Sequence, residues 1–171
     1  MAKKVTQAGE AKANGSLKKL RKLMKDIRVG MLTTVDREGR LHSRPMMTSD
    51  VQFDGDLWFI ARATSGLADH IGTNPHVNVA YADPKGDEYV SVSGLASLVR
   101  DDTRLKELWS GRHKAWFPEG KKDPDLTLLK VNVEGAEYWD ARSDAVELAQ
   151  FVKSHPLGVS AEEPTGAGAQ G

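Results

Sequence analysis

The chain has 171 residues, enough for one domain with a real core, and its 24 basic side chains balance 24 acidic ones. A formal net charge of zero gives counterion-driven nucleic-acid binding no support, and the absence of cysteine excludes disulfides, thiolate metal sites and cysteine nucleophiles. No apolar run approaches the ~20 residues that cross a bilayer, and no apolar segment follows the first lysines as in a secretory signal, so a cytoplasmic protein is expected.

Residues 1–15 are polar, small and Gly-bearing, and read as a flexible arm. Ser16 is a candidate N-cap for a helix in which Leu17, Leu20, Leu23, Met24 and Ile27 form one apolar stripe. Lys18, Lys19, Arg21, Lys22 and Lys25 then make the solvated face of a helix that lies on a sheet. From Val29 the period changes to that of a strand, and Arg37-Glu38-Gly39-Arg40 is a turn with glycine where a positive φ is needed. A second strand from Leu41 ends at the hairpin signal Phe53-Asp54-Gly55-Asp56, and LWFIARA forms a third. Thr64-Ser65-Gly66 breaks that strand and opens a short helix, which Asn74-Pro75 stops.

HVNVAYAD is a fourth strand with Val77, Val79 and Tyr81 on one face. EYVSVSGLASLVRD is a long fifth strand, with Gly94 at a bulge or bend in its middle. Asp101 to Trp109 is helical, and the loop that follows is long enough to carry function. LTLLKVNVEG and AEYWDAR are expected to pair as a last hairpin, and Ser143 to cap a final helix over 144–154. The domain is thus expected over 16–155, with a disordered tail over 156–171. Six or seven short alternating strands with inserted helices favour an antiparallel barrel over a parallel sheet.

The chain has no GxGxxG, GxxxxGK, HExxH or GxSxG motif, and its five histidines show no metal-ligand spacing. No metal site is expected, and no catalytic residue is nominated. What remains is Arg44 with Ser65. Strand parity puts His42, Arg44 and Met46 on one face, so a cation stands among methionines, which suits an anion beside an apolar surface. Ser65 adds a hydroxyl at a helix start. The alternative is that Arg44 pairs with an acidic residue such as Asp56 and that Ser65 only caps its helix.

The order of the segments MLTTVDREGRLHSRPM, LWF, NPHVNVAY, VSVSGLASLVRD, WF-PEG-K-DPD and AEYWDA resembles the pyridoxamine 5'-phosphate oxidase-like, FMN-binding split-barrel superfamily, in particular its general stress protein group. The resemblance runs from about Leu17 to Ala141. It implies a mainly β (α+β) fold, a six-stranded antiparallel split β-barrel, forming a homodimer with two flavin sites at the interface. It implies that Arg44, Pro45 and Met46 hold the flavin ring and phosphate. It places Ile60, Ala61, Arg62 and Ser65 on the strand and turn that reach the phosphate and ribityl chain. Tyr89 and Ser93 fall on the strand that approaches the flavin from the other subunit, and Trp116 and Trp139 fall near the ring.

Two positions depart from the family pattern. Ala61 stands where flavin-binding members typically have Thr, and Leu67 where they have Lys. The implied function is therefore a flavin (FMN or FAD)-binding protein of the general stress type, with a weak flavin-dependent oxidoreductase as its enzymatic form. The alternative is a non-enzymatic dimeric binding or stress-response module that has lost flavin affinity. A split barrel holding deazaflavin or haem is a third, less favoured reading. True pyridoxamine phosphate oxidase activity is not expected, because the Arg, His and Tyr residues of a vitamin B6 phosphate site have no counterpart toward the C-terminal end.

Overall fold

The structure, a computed structural model, describes residues 18–49, 53, 55–140 and the backbone of 145–150. The expected arm, the Ser16 cap and the tail lie outside the described residues. Helix α1, described over 18–27, buries Leu20, Leu23 and Met24 in the main core, as its stripe predicts. Its lysines and Arg21 face solvent, except that Lys19 bonds Asp140 at 2.7 Å and lies over the Tyr138 ring.

Seven strands follow, with two further helices: β1 (Val29–Val35), β2 (Leu41–Met47), β3 (Asp56–Arg62), α2 (Gly66–Thr73), β4 (His76–Asp83), β5 (Glu88–Val99), α3 (Asp102–Leu108), β6 (Leu126–Asp140) and β7 (Ala145–Gln150). All strand pairs are antiparallel, in the order β2-β1-β4-β5-β6-β3, with β7 on the second half of β6. The sheet curls into a split barrel. Its two end strands, β2 and β3, make no ladder with each other, and the gap between them is the split.

Glycine sets two of the bends. Gly39 has φ of 79° in the β1–β2 turn, where Asp36 Oδ1 accepts from the amides of Glu38 and Arg40. At Gly94 the β5–β6 register shifts, and a Cβ there would lie 2.1 Å from the Asn132 carbonyl oxygen. The inner faces of β1, β4 and β5 bring Leu32, Val79, Tyr81, Val90 and Val92 into one core. A smaller second core joins Ile60, Leu105, Leu108, Phe117, Leu126 and Leu128 beneath α3.

Three expectations are overturned. The hairpin read at Phe53-Asp54-Gly55-Asp56 does not form, because β2 ends at Met47 and β3 pairs with β6 instead. Two more concern β6 and β7. The last hairpin, LTLLKVNVEG with AEYWDAR, is one unbroken strand: β6 runs through Gly135, which pairs with Ser93. The expected helix from 144 is strand β7 over the described residues. Both have one physical cause. β3 ends its ladder at Asp56 opposite Asn132, so the second half of β6 has backbone groups on that side with no partner from β3. β7 supplies that ladder from Gly135 to Asp140.

Candidate functional site

The split holds a pocket of about 180 Å³. β2 gives one wall, β3 and the start of α2 the other, and the loop after α3 closes it. Nine of the residues expected at the site line it: Arg44, Pro45, Met46, Ile60, Ala61, Arg62, Ser65, Leu67 and Trp116. The lining is mostly apolar, so a flat ring loses unfavourable contact with water there.

Arg44 lies on the inner face of β2, opposite Leu32 of β1, with Met46 buried beside it. Its expected alternative partner is taken, because Asp56 Oδ2 lies 3.1 Å from Lys130 Nζ. Among the described residues Arg44 has no ion pair; its one polar neighbour is His70 Nδ1, 3.5 Å from Nη2. Burial pulls its pKa below the ordinary value. An arginine that is partly desolvated and has no carboxylate beside it suits an incoming anion.

The other expected phosphate contacts are occupied elsewhere. Ser65 Oγ donates to the Arg62 carbonyl at 2.7 Å, and Ser65 caps α2 with its backbone only. Arg62 lies 3.1 Å from Asp123 Oδ2 and 3.6 Å from Asp125 Oδ2, with its guanidinium over the Phe117 ring. Asp125 also takes the amide and hydroxyl of Thr64, and the hydroxyl bond is the main reason its carboxyl sits below the usual range. Leu67 is 2 % exposed and packs in the main core. An ammonium at that position would therefore be surrounded by apolar atoms over most of its length.

Tyr89, Ser93 and Trp139 stand away from this pocket. Tyr89 pairs with Trp139 across β5 and β6, and Ser93 with Gly135, on the outward face of the sheet. The pocket also gathers Met47, His113 and Phe117, which the sequence reading did not nominate. Phe117 adjoins Trp116 in the WF pair and was readable; His113 gave no signal, because the amide, carbonyl and hydroxyl that meet its Nδ1 all belong to Ser110, three residues before it. Behind Arg44, Asp36 Oδ2 accepts from Arg40 Nε and His42 Nε2, both at 2.8 Å, and the His42 ring lies 4.9 Å from that of His70. Thr34 Oγ1 lies 2.9 Å from His70 Nδ1 and completes the array.

Among the described residues no helix is long and apolar enough to cross a membrane, and no three His, Asp or Glu side chains cluster as metal ligands. Comparison with known proteins places the geometry. The model of the family "Pyridoxamine 5'-phosphate oxidase like" matches residues 15–161. Protein bli-3 of Neurospora crassa is 30 % identical over 129 residues, covering 70 % of this chain and 62 % of bli-3. The chain thus spans less than two thirds of that relative's length. General stress protein 26 of Bacillus anthracis is 29 % identical with a TM-score of 0.64, covering 77 % of this chain and 98 % of that one. The general stress FMN/FAD binding protein of Xanthomonas citri is 27 % identical with a TM-score of 0.59, covering 83 % and 94 %. The chain belongs to the pyridoxamine 5'-phosphate oxidase-like family.

Proposed function

We propose that this chain is a cytoplasmic, homodimeric flavin-binding protein of the general stress type that holds the ring more firmly than the phosphate. The observation that carries the reading is Arg44: a cation without an acidic partner among the described residues, on the inner face of a barrel strand, beside an apolar pocket at the split. A flavin ring would lie against Met46, Ile60 and Trp116, and Arg44 would take the anionic end. When bound, the flavin supplies the electron-accepting ring, and the protein supplies orientation and electrostatics. The similarity to the FMN/FAD binding protein of Xanthomonas citri supports the same cofactor.

The dimer is supported by the outer face of the sheet. Met31 lies between Pro45 and Ala80 across β2, β1 and β4, and Ser91 continues the row. Val29, Met31, Leu41, Tyr89 and Trp139 are exposed on the sheet, Leu41 at 72 %. A second copy laid on this face would bring Tyr89, Ser93 and Trp139 toward the pocket of the first.

A second reading, a dimeric module without flavin, is favoured by the occupied contacts. Ser65 and Arg62 are bonded within the chain, and Ala61 and Leu67 offer no polar group. One measurement separates the two. Purified protein is titrated with riboflavin, FMN and FAD, and quenching of flavin fluorescence is followed. Saturable binding of all three, with FMN only modestly tighter than riboflavin, is expected. A colourless protein that quenches none of them is the non-flavin module.

A further inference from the structure

Arg44 is met from behind by helix α2. Its Nη2 lies 3.5 Å from His70 Nδ1, and the Thr34 hydroxyl reaches the same ring nitrogen at 2.9 Å. A guanidinium has only hydrogens to give, so Nδ1 meets Arg44 with its lone pair, and the proton of that neutral ring sits on Nε2. Arg44 lines the main pocket and His70 does not. An effect of His70 on a ligand there therefore passes through Arg44.

Thr34 is fully buried and serves the ring in either protonation state. Its hydroxyl donates to a neutral Nδ1. When Nδ1 carries a proton, the oxygen accepts it and the hydroxyl turns to the His42 carbonyl, 3.5 Å away. Arg44 has no such second arrangement. A protonated Nδ1 leaves Nη2 without its acceptor and sets a second cation beside the guanidinium. Among the described residues no carboxylate bonds His70, because Asp36 Oδ2 accepts from His42 Nε2 and Arg40 Nε instead. The His42 ring lies 4.9 Å from that of His70. α2 itself adds Asp69, which is exposed, and His76 follows at the start of β4. β5 also packs on α2, and its half nearest the helix end, Gly94–Val99, carries no ionisable side chain.

We propose that His70 is a positioning residue for Arg44 and makes the anion end of the pocket sensitive to pH. The neutral ring holds the guanidinium against α2; the protonated ring frees it and adds charge, so a dianion binds more tightly as pH falls from about 8 to about 5.5. The inference rests on the reading of Arg44 as the residue that takes a ligand's anionic end, and it does not need that ligand to be a flavin.

Sulfate is the probe, because it stays a dianion across this range and the phosphate of FMN does not. The full-length protein, labelled with ¹³C at arginine and free of added flavin, is titrated at constant ionic strength. NMR follows the Arg44 Cζ resonance, identified by its loss in Arg44→Ala. A saturable shift with a millimolar Kd is expected, with the Kd about 3–10-fold lower at the acid pH. His70→Asn, which keeps an acceptor near the δ position, should show the weaker Kd at both pH values. Thr34→Val, which takes the acceptor from a protonated Nδ1, should lose most of the gain, and His42→Gln should keep it. No saturable shift of Arg44, one Kd at both pH values, a gain that survives His70→Asn, or a gain lost in His42→Gln each overturns the proposal. If His70→Asn does not fold, the Thr34→Val and His42→Gln arms still decide. A parallel titration with riboflavin, which has the ring and no anion, reports on the flavin reading separately: sulfate binding without riboflavin binding leaves this proposal standing and refutes the flavin one.

Discussion

Arg62 and Asp123 meet at 3.1 Å on the wall of the pocket, 61 residues apart in sequence, and the Asp123 side chain is almost wholly buried. Asp125 adds a second carboxylate at 3.6 Å. The arginine that lies closest in sequence to Ser65 and the start of α2 is therefore spent on holding the closing loop to β3. A cation with two carboxylates at its fork has little field left for an anion.

Neutralising both carboxylates releases it. In the double variant Asp123→Asn, Asp125→Asn, the amide oxygens still accept from the Asp125 and Thr64 backbone amides that the carboxylates serve now. FMN should gain about 3–10-fold over riboflavin, since only FMN carries the phosphate. The same change loses the ion pair and should lower the melting temperature. Titration with the two flavins and thermal melts check both halves; an unchanged FMN-to-riboflavin ratio means Arg62 does not face the phosphate.

Arg44 gives the opposite pattern. It makes no ion pair among the described residues and only a 3.5 Å contact to His70. Arg44→Ala should leave stability within about 0.5 kcal/mol of the parent. FMN affinity should fall to that of riboflavin. A melt that drops by several degrees with the ratio of affinities intact would make Arg44 a structural residue.

Local chemistry in the chain foretells the bends and the frame. Gly39 and Gly94 stand where the backbone needs them, and the parity of HVNVAYAD and of LHSRPMM gives the buried faces. The pocket's outline follows, because strands and turn fix where Arg44, Ile60 and Ser65 point. What escapes is non-local. Nothing near Arg62 announces Asp123, and nothing in Glu134-Gly135 tells a turn from a strand that must continue to meet β5 and β7. The last six described residues read as a helix because their apolar spacing is short and ambiguous, and the ladder left open by β3 decides them.

The bulge at Gly94 is testable through packing alone. A methyl group there would meet backbone at 2.1 Å, and backbone cannot rotate away as a side chain can. Gly94→Ala should cost about 3 kcal/mol or more, read as a loss in the denaturant midpoint. Gly66→Ala, where a Cβ meets nothing within 4 Å, serves as the control and should be far milder.

The Asp36 carboxyl is held well below its ordinary value of 3.8, chiefly by the His42 hydrogen bond and then by Arg40. A folded-state pKa that is depressed gives stability that is full above the unfolded value and is lost as pH falls through the folded one. Asp36→Asn should therefore lower Tm by a constant amount from pH 8 to about 5, and the gap should close in the acid range below about 4. A gap that is already closing near pH 6 would mean that the depressed Asp36 carboxyl is not the group that sets it.

The outer sheet face makes the last prediction. Met31 is exposed and central to the row formed with Pro45 and Ala80, so it contributes little to the protomer's core. Met31→Glu places a carboxylate in the middle of an apolar surface that two copies would bury against each other, at a cost of several kcal/mol to association if both charges are desolvated. Sedimentation should show a dimer for the parent and a monomer for the variant at micromolar concentration, with unchanged far-UV circular dichroism. Because Tyr89, Ser93 and Trp139 lie on the same side of the sheet and away from their own pocket, the monomer should also lose flavin affinity. A monomeric variant that binds flavin as the parent does would place the whole site within one protomer, and a variant that stays dimeric would move the interface off this face.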